Sequence, residues 1–362
     1  MRAGFDVSAA GSTSPGIGRY IVELGEALAR VAPAGSVIPV SHRSDAAGPA
    51  FPSRRAWTHL VLPGWLARAG LDLVHYPAHD GPLVGRTPAV VTIHDLSWLT
   101  DPGLHRRRRV LRARLVLGRL ARRAAAVIVP SEVTAGAVTA RLGIRRERIH
   151  VTPLAPAAAF RPVETDAAKS VTTRLDVQAG AFLFVGTIEP RKNLAAVLDA
   201  LAILRRTERA ARLIVVGEPG WEVSLPAEVR RRALGSAVTW LRGIGDPDLA
   251  AIMSGAAALV APSLDEGFGL PVVEAMAVGL PVVTSETGAQ AEVAGDAALT
   301  VDPRDPGAIA SAMRTLIDDA AVAADLRARG LARAATFSWA RTARETLAVY
   351  HSVVDGAGGT GS

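Results

Sequence analysis

The chain has 362 residues, of which 49% are hydrophobic and 21% charged, and its formal net charge at pH 7 is +7. This length allows two domains with full cores, and the absence of cysteine excludes disulfides and thiolate chemistry. No apolar run reaches the ~18–20 residues of a transmembrane helix, and the early Asp6 argues against a signal peptide, so we expect a cytoplasmic protein.

The first half alternates short apolar runs with longer amphipathic stretches, which is typical of a parallel α/β sheet. The predicted strands are 71–75, 89–93 and 126–129, and the predicted helices are 17–31 and 105–124. Ser131, which follows the last of these strands and Pro130, is the predicted N-cap of the next helix.

The first strand runs into a glycine-containing segment in which Gly16 and Gly18 precede the first helix. Backbone without a Cβ can approach a phosphate closely, as in dinucleotide-binding folds. The full glycine fingerprint is absent, however, and no convincing acidic residue stands at the end of a second strand to bind a nicotinamide ribose. Because it lacks a Cβ, Gly16 is a candidate phosphate-binding position, but the missing features argue against a nicotinamide dinucleotide.

His94 follows the predicted strand 89–93 directly. At the end of a parallel strand, this side chain is positioned to hydrogen-bond a substrate hydroxyl or a developing charge. A purely structural hydrogen bond is the alternative, and the residues themselves leave both open.

The segment between Asp101 and His150 contains thirteen arginines and only three acidic residues. At 100° per residue, five arginines share about a third of the surface of one helix, namely Arg108, Arg112, Arg119, Arg122 and Arg123. Leu111, Leu115 and Leu117 supply apolar surface beside them. This Arg108–Arg123 helix predicts a peripheral contact with an anionic membrane at the inner face of the plasma membrane. A simple solvated face is the alternative; nucleic acid is disfavoured because aromatic residues are scarce.

The second half repeats the alternating pattern after a stretch rich in Pro, Ala and Thr, residues 153–180, which we interpret as the linker. Its predicted strands are 182–185, 213–216, 237–240, 257–261 and 281–284. We predict domains at 1–165 and 175–336, a final helix at 337–353 that packs back on the first domain, and a disordered tail at 354–362.

Two cations follow the first strand of the second half. Gly186 ends this strand, and Arg191 and Lys192 stand on the loop that leads into the next helix. Cations at a helix N-terminus oppose the macrodipole, so their position favours a role in neutralising a bound diphosphate.

Glu266 and Glu274 are separated by seven residues around another strand–loop–helix connection. Gly267 and Gly269 permit a close approach of the backbone to a ligand, and Pro271 opens the helix. Free amides at the helix start suit a phosphate, and two carboxylates suit sugar hydroxyls. The combination indicates a nucleotide sugar, although an ordinary connection with two solvated acids is the alternative. The nearby Asp246-Pro247-Asp248 is a predicted helix start and not a metal site.

Four segments together resemble the retaining, GT-B-fold glycosyltransferases of family 4, also called group 1, and most closely their mannosyltransferase-like branch. They are Val185–Leu194, Glu266–Glu274, the His94-Asp95 strand end and Phe337-Ser338-Trp339. The resemblance covers nearly the whole chain. Family members often carry proline where this chain has Ala291 and glycine where it has Ala155, which changes loop shape near the expected cleft.

The resemblance implies two doubly wound Rossmann-like domains facing each other across a cleft. It implies that Glu274 binds the ribose hydroxyls, Glu266 the donor sugar hydroxyls, and Arg191 and Lys192 the leaving diphosphate. The remaining implied contacts are the backbone amides of Phe268, Gly269 and Leu270, the loop glycines Gly16 and Gly186, and His94 from across the cleft.

The implied reaction moves a hexose, with mannose as the first candidate, from a nucleotide diphosphate sugar such as GDP-mannose to a glycan or glycolipid in polysaccharide biosynthesis. Because no carboxylate is set aside as a nucleophile, a front-face mechanism with retention and without metal or separate cofactor is implied. The alternatives are a nucleotide-sugar epimerase, another Rossmann-type enzyme such as an NAD-dependent oxidoreductase, or a non-catalytic nucleotide-sugar-binding subunit. A glycosidase pair is disfavoured because plain hydrolysis needs no paired cations.

Overall fold

The computed structural model describes residues 1–11, 15–43, 46–78, 80–104 and 107–358. The chain divides into two compact units. Unit 1 comprises Met1–Leu154 together with the segment from Ser338 onwards, and unit 2 comprises Ala155–Phe337. Among the helices in these described ranges, none is long and apolar enough to cross a lipid bilayer.

Unit 1 is built on a six-stranded sheet in the order β2-β1-β3-β4-β5-β6, and all of its strand pairings are parallel. Its strands are β1 (Ala3–Asp6), β2 (Val37–Val40), β3 (Leu73–Tyr76), β4 (Ala89–Thr92), β5 (Ala126–Val129) and β6 (Ile149–Val151). Its helices are α1 (Pro15–Val31), α2 (Arg54–Ala56), α3 (Leu62–Leu66), α4 (Ser97–Thr100), α5 (Arg107–Arg123) and α6 (Glu132–Leu142), with a π turn at Trp57–Val61 and 3₁₀ turns at Pro102–Leu104 and Arg146–Arg148.

The inner strands of this sheet are buried on both faces, since nearly all of their residues are buried and successive side chains point to opposite sides. In β3, Val74 and Tyr76 belong to the core that α3 to α6 cover. The intervening His75 points to the other face and hydrogen-bonds Tyr350. Tyr350 lies on the last helix of the chain, Trp339–Gly358, which packs beside α1.

Unit 2 contains a second parallel sheet of six strands, in the order β12-β11-β10-β7-β8-β9. Its strands are β7 (Phe182–Val185), β8 (Leu213–Val216), β9 (Val238–Leu241), β10 (Ala258–Ala261), β11 (Val282–Ser285) and β12 (Leu299–Val301). Its helices are α7 (Thr165–Arg174), α8 (Leu194–Leu204), α9 (Leu225–Arg231), α10 (Asp246–Gly255), α11 (Leu270–Ala277), α12 (Gly288–Ala294), α13 (Pro306–Asp318) and α14 (Ala320–Ala334), after which α15 (Trp339–Gly358) follows in unit 1.

Two sequence predictions about the connections are wrong. The predicted linker contains the ten-residue helix α7, which packs against α10. Its buried stripe is made of Ala168 and Thr172, one turn apart, and such small side chains leave no visible apolar period. The predicted disordered tail is also helical as far as Gly358, because Gly356 inside the helix costs only about 1 kcal/mol relative to alanine and Gly358 is the last helical residue. Residues 359–362 lie outside the described part of the chain.

Candidate active site

The sheet of unit 2 has one point where the strand order reverses, between β7 and β10. The chain proceeds from β7 to β8 and β9 on one side, and from β10 to β11 and β12 on the other. Open parallel sheets bind ligands at the carboxyl ends of the two strands at such a point, because the following loops diverge there. The loops that follow β7 and β10 carry most of the predicted binding residues.

These two loops are joined by hydrogen bonds. The amide of Leu264 donates to the carbonyl oxygen of Arg191 at 2.9 Å. The Asn193 side chain donates to the carbonyl oxygens of Pro262 at 3.0 Å and Pro303 at 2.6 Å. Asn193 has a φ of 59°, a left-handed conformation that asparagine tolerates better than most residues. The two loops therefore form one continuous surface.

Glu266 lies at the centre of an ion-pair cluster on this surface. One carboxylate oxygen is 2.6 Å from a guanidinium nitrogen of Arg191, and the other accepts hydrogen bonds from Lys192 and, at 3.1 Å, from the Ser263 hydroxyl. Arg191 also pairs with Glu189 at 2.8 Å. The side chains of Glu266, Arg191 and Lys192 are only 10–14% exposed, so their charges are weakly screened by solvent.

The charge state of Glu266 follows from this cluster. Burial by itself raises the pKa of the carboxyl group, but the charges and hydrogen bonds of Arg191 and Lys192 outweigh it and hold the pKa below its ordinary value. Glu266 is therefore ionised at neutral pH. A carboxylate held in this way is a weak base and a weak nucleophile, but it accepts hydrogen bonds from hydroxyl groups well.

The loop after β10 passes into α11 through Gly269, which has a φ of 102°. A Cβ at this position would lie 2.9 Å from Cγ of the buried Gln290, so the backbone approaches α12 more closely than a side chain allows. Pro271 lies in the first turn of α11, as predicted. The preceding Phe268 is 5% exposed and stacks edge-to-face against Phe337 with ring centroids 5.7 Å apart.

Glu274 lies one turn further along α11 and is 1% exposed. Its position in the first turns of the helix agrees with the sequence prediction. Gly186, at the end of β7, has a φ of 147°, and a Cβ there would lie 3.4 Å from Cε of Lys192. Unit 2 thus brings together Gly186, Lys192, Arg191 and Glu266, with residues 268–274 continuing from the same loop.

Gly16 and His94 belong to unit 1. Gly16 lies in the first turn of α1 and not in the loop before it, which corrects the predicted helix start at residue 17. Pro15 explains the earlier start, because proline is preorganised for the first helical position. His94 lies just after β4, where its Nε2 donates to the carbonyl oxygen of Pro77 at 2.8 Å and its ring stacks edge-to-face on Tyr20.

A buried polar chain in unit 1 was not predicted. Tyr20, on α1, contacts the Thr92 hydroxyl at 3.1 Å, Thr92 contacts His75 at 2.7 Å, and His75 contacts the Tyr350 hydroxyl at 2.7 Å. Burial, with a smaller contribution from the charge of His94, lowers the pKa of His75 to about 3, so its ring is neutral. No sequence signal connects His75 with Tyr350, because 275 positions separate them.

Both units resemble known protein families. The family model described as glycosyl transferases group 1 matches residues 169–333, and the model of glycosyltransferase family 4 matches residues 15–155. O-antigen chain mannosyltransferase B from Escherichia coli is 33% identical over 267 residues, which are 72% of this chain and 70% of the relative. The chain belongs to the group 1 glycosyltransferases of family 4.

A second relative agrees with this assignment, and two solved structures show the same fold. D-inositol 3-phosphate glycosyltransferase 1 from Catenulispora acidiphila is 33% identical over 313 residues, 80% of this glycosyltransferase and 74% of the relative. HepE from Anabaena, solved with UDP-glucose, superimposes with a TM-score of 0.79 at 19% identity over 97% of this chain and 100% of that one. Sucrose-phosphate synthase from Thermosynechococcus elongatus gives 0.75 at 21% identity, over 98% and 100%. The predicted family, GT-B fold and enzyme class are confirmed, and the epimerase and oxidoreductase alternatives are not favoured.

Proposed function

We propose that this glycosyltransferase moves a hexose from a nucleotide diphosphate sugar to a glycan or lipid-linked acceptor, with retention of anomeric configuration. The observation that carries the proposal is the weakly exposed cluster of Glu266, Arg191 and Lys192 at the strand-order reversal of unit 2. Two cations preorganised by one carboxylate suit a diphosphate that gains charge as it leaves.

Each residue of the cluster then has a separate task. Arg191 and Lys192 stabilise the leaving diphosphate, and Glu266 holds both cations in place while its oxygens accept hydrogen bonds from the sugar hydroxyls. Glu274 binds the ribose of the nucleotide. The backbone amides of Phe268, Gly269 and Leu270 orient the sugar and phosphate at the start of α11. In unit 1, Gly16 serves the phosphate and His94 the donor sugar.

The chemical state of Glu266 favours a front-face mechanism. Its lowered pKa and its two cationic partners make it a weak nucleophile, and a glycosidase acid requires a raised pKa instead. In the proposed step, the bond between the anomeric carbon and the phosphate oxygen breaks while the acceptor oxygen attacks from the same side. The proton of the acceptor passes to the departing phosphate oxygen, so no enzyme-bound intermediate forms.

The donor is proposed from the relatives. Two similar proteins are named as mannosyltransferases, so GDP-mannose is the first candidate, and UDP-glucose, which is bound in the HepE structure, is the second. A thermal-shift screen against UDP-, GDP-, ADP- and dTDP-sugars tests this, since a bound donor stabilises the fold by mass action. A shift with no nucleotide sugar would contradict the proposal. Binding without transfer or hydrolysis under any acceptor would indicate a non-catalytic binding subunit.

We also propose that α5 contacts an anionic membrane, at the inner face of the plasma membrane, where a lipid-linked acceptor would be available. Arg119, Arg122 and Arg123 are exposed on this helix, and Leu111 is 61% exposed beside them. Leu117 is only 3% exposed and packs in the core, so it does not contribute, contrary to the sequence prediction. The side chains at positions 108, 112 and 115 lie outside the described part of the chain.

A further inference from the structure

The segment Phe337-Ser338-Trp339 contains the point where the chain leaves unit 2 and enters unit 1, between Phe337 and Ser338. It belongs to the motifs that carry the family resemblance, yet none of its residues has a part in the function proposed above. In unit 2, the Phe337 ring contacts Phe268 of the candidate donor-binding loop. In unit 1, the Trp339 ring contacts Tyr20, whose ring stacks on the candidate residue His94.

In unit 2, Phe337 stacks edge-to-face on Phe268, at an interplanar angle of 88°. Phe268 lies two residues after Glu266 and two before Leu270, in the loop whose amides are proposed to orient the donor. Its ring is buried, so Phe337 supplies one wall of the pocket that fixes the conformation of this loop.

Phe337 is in turn held from behind. The guanidinium of Arg333 lies over its ring, 5.1 Å from the centroid. Arg333 donates to the carbonyl oxygens of Val293 and Glu292, both at 2.9 Å, at the end of α12. The same helix carries Gln290, which packs against Gly269. Helix α12 therefore supports the loop in two ways. It contacts the loop directly through Gln290, and it contacts it indirectly through Arg333 and Phe337.

In unit 1, Trp339 is 7% exposed, and its ring centroid lies 6.1 Å from that of Tyr20. Tyr20 in turn stacks on His94, with centroids 4.7 Å apart. Trp339 thus supports the ring against which His94 is oriented.

We propose that Phe337 and Trp339 are positioning residues, Phe337 for the donor-binding loop around Phe268 and Trp339 for His94. Neither is a catalytic residue, since both act through another side chain. The role of Phe337 in donor binding rests on the proposed function. The role of Trp339 in orienting His94 depends only on contacts inside unit 1.

The Phe337 part is tested by calorimetric titration of the full chain with GDP-mannose and with UDP-glucose. Phe337→Ala should weaken donor binding by roughly 3- to 10-fold, the scale of one edge-to-face aromatic pair. Phe337→Tyr keeps the ring and should restore the affinity. The matched control is Ile203→Ala, because Ile203 is a partly buried apolar residue of α8 that packs on the core. This variant should bind the donor as tightly as the wild type does.

The outcomes of this titration distinguish the positioning role of Phe337 from the proposed function. Equal donor affinity in the wild type and Phe337→Ala would overturn the inference and leave the proposed function standing. No binding of either nucleotide sugar by the wild type would contradict the proposed function, and the Phe337 inference would fall with it. A loss of affinity in Ile203→Ala as large as that in Phe337→Ala would show a general effect on folding and would also overturn it.

The Trp339 part is tested without any ligand, by the imidazole signal of His94 in the NMR spectrum of histidine-labelled protein, assigned from its loss in His94→Gln. Trp339→Leu should shift this signal because Tyr20 loses its support, and Trp339→Phe should shift it less. If Trp339→Leu does not fold, Trp339→Phe alone decides. An unchanged His94 signal in the folded variants would overturn the proposal.

Discussion

Glu266 binds both cations that the sequence assigns to the diphosphate, which makes the three side chains one electrostatic unit. Arg191→Ala and Lys192→Ala should therefore each lower turnover by ~10²-fold or more, the scale for removing one preorganised charge. The double variant should lose less than the product of the two effects, because both residues share Glu266. Steady-state rates decide this, with the exposed Arg231→Ala as a matched cation control. Near-normal turnover in both single variants would count against the site.

The lowered pKa of Glu266 also predicts a pH-dependent contribution to stability. The unfolded chain takes up a proton near the ordinary value of 4.5, while the folded protein keeps Glu266 ionised to lower pH. The stabilisation is therefore complete above that pH and is lost as the pH falls through the folded pKa. The difference in unfolding free energy between wild type and Glu266→Gln should be constant from about pH 6 to 8 and shrink below about pH 4.5. Urea titrations across this range would contradict the cluster if the difference stayed constant down to pH 3.

The sequence singles out the residues of the candidate site, but it does not predict their mutual contacts. Arg191, Lys192 and Glu266 stand on loops after apolar runs, and their placement beside glycine and before a helix already indicated an anion site. Arg191 and Glu266 are 75 positions apart, however, so their pairing depends on which strands become neighbours. The order of parallel strands is a tertiary property that local patterns do not encode.

Among the strands, those buried along their whole length could be predicted, whereas of the partly exposed edge strands only β9 was predicted. Fully apolar strands such as β5 and β8 are buried along their whole length, and the sequence placed them correctly. The missed strands β2, β6 and β12 have three or four residues and are partly exposed at the sheet edges. The predicted N-cap Ser131 is confirmed, since its side chain accepts from the Thr134 amide at 3.1 Å. Capping is local chemistry and is therefore readable from sequence.

Within unit 1, the buried His75–Tyr350 hydrogen bond joins helix α15 to strand β3. Tyr350→Phe keeps the ring but leaves a buried imidazole nitrogen without its partner, so we expect a loss of about 1–3 kcal/mol in unfolding free energy. Chemical denaturation measures this, and the exposed His351→Ala on the same helix is the control. Equal stability of Tyr350→Phe and the wild type would show that the contact does not fasten the helix.

At the scale of the whole molecule, the arginines of α5 predict a salt-sensitive attraction to anionic membranes. Flotation should recover the protein with anionic but not with neutral vesicles, and binding should fall at high salt because these charges are exposed. Arg119→Glu with Arg122→Glu should abolish the recovery. The control is Arg141→Glu with Arg145→Glu, which makes the same charge change at two exposed arginines outside α5. More of this variant should be recovered with anionic vesicles. Binding that high salt does not weaken would refute an electrostatic contact.

We propose that unit 2 binds a nucleotide diphosphate sugar through the loops after β7 and β10. Calorimetric titration of the wild type and Glu274→Gln with GDP-mannose, UDP-glucose and NAD measures this binding. We predict binding of a nucleotide sugar in preference to NAD, weakened about 10- to 100-fold in Glu274→Gln, the scale of hydrogen bonds to a charged group. Preferential binding of NAD, or nucleotide-sugar binding that Glu274→Gln leaves unchanged, would contradict the proposed donor site.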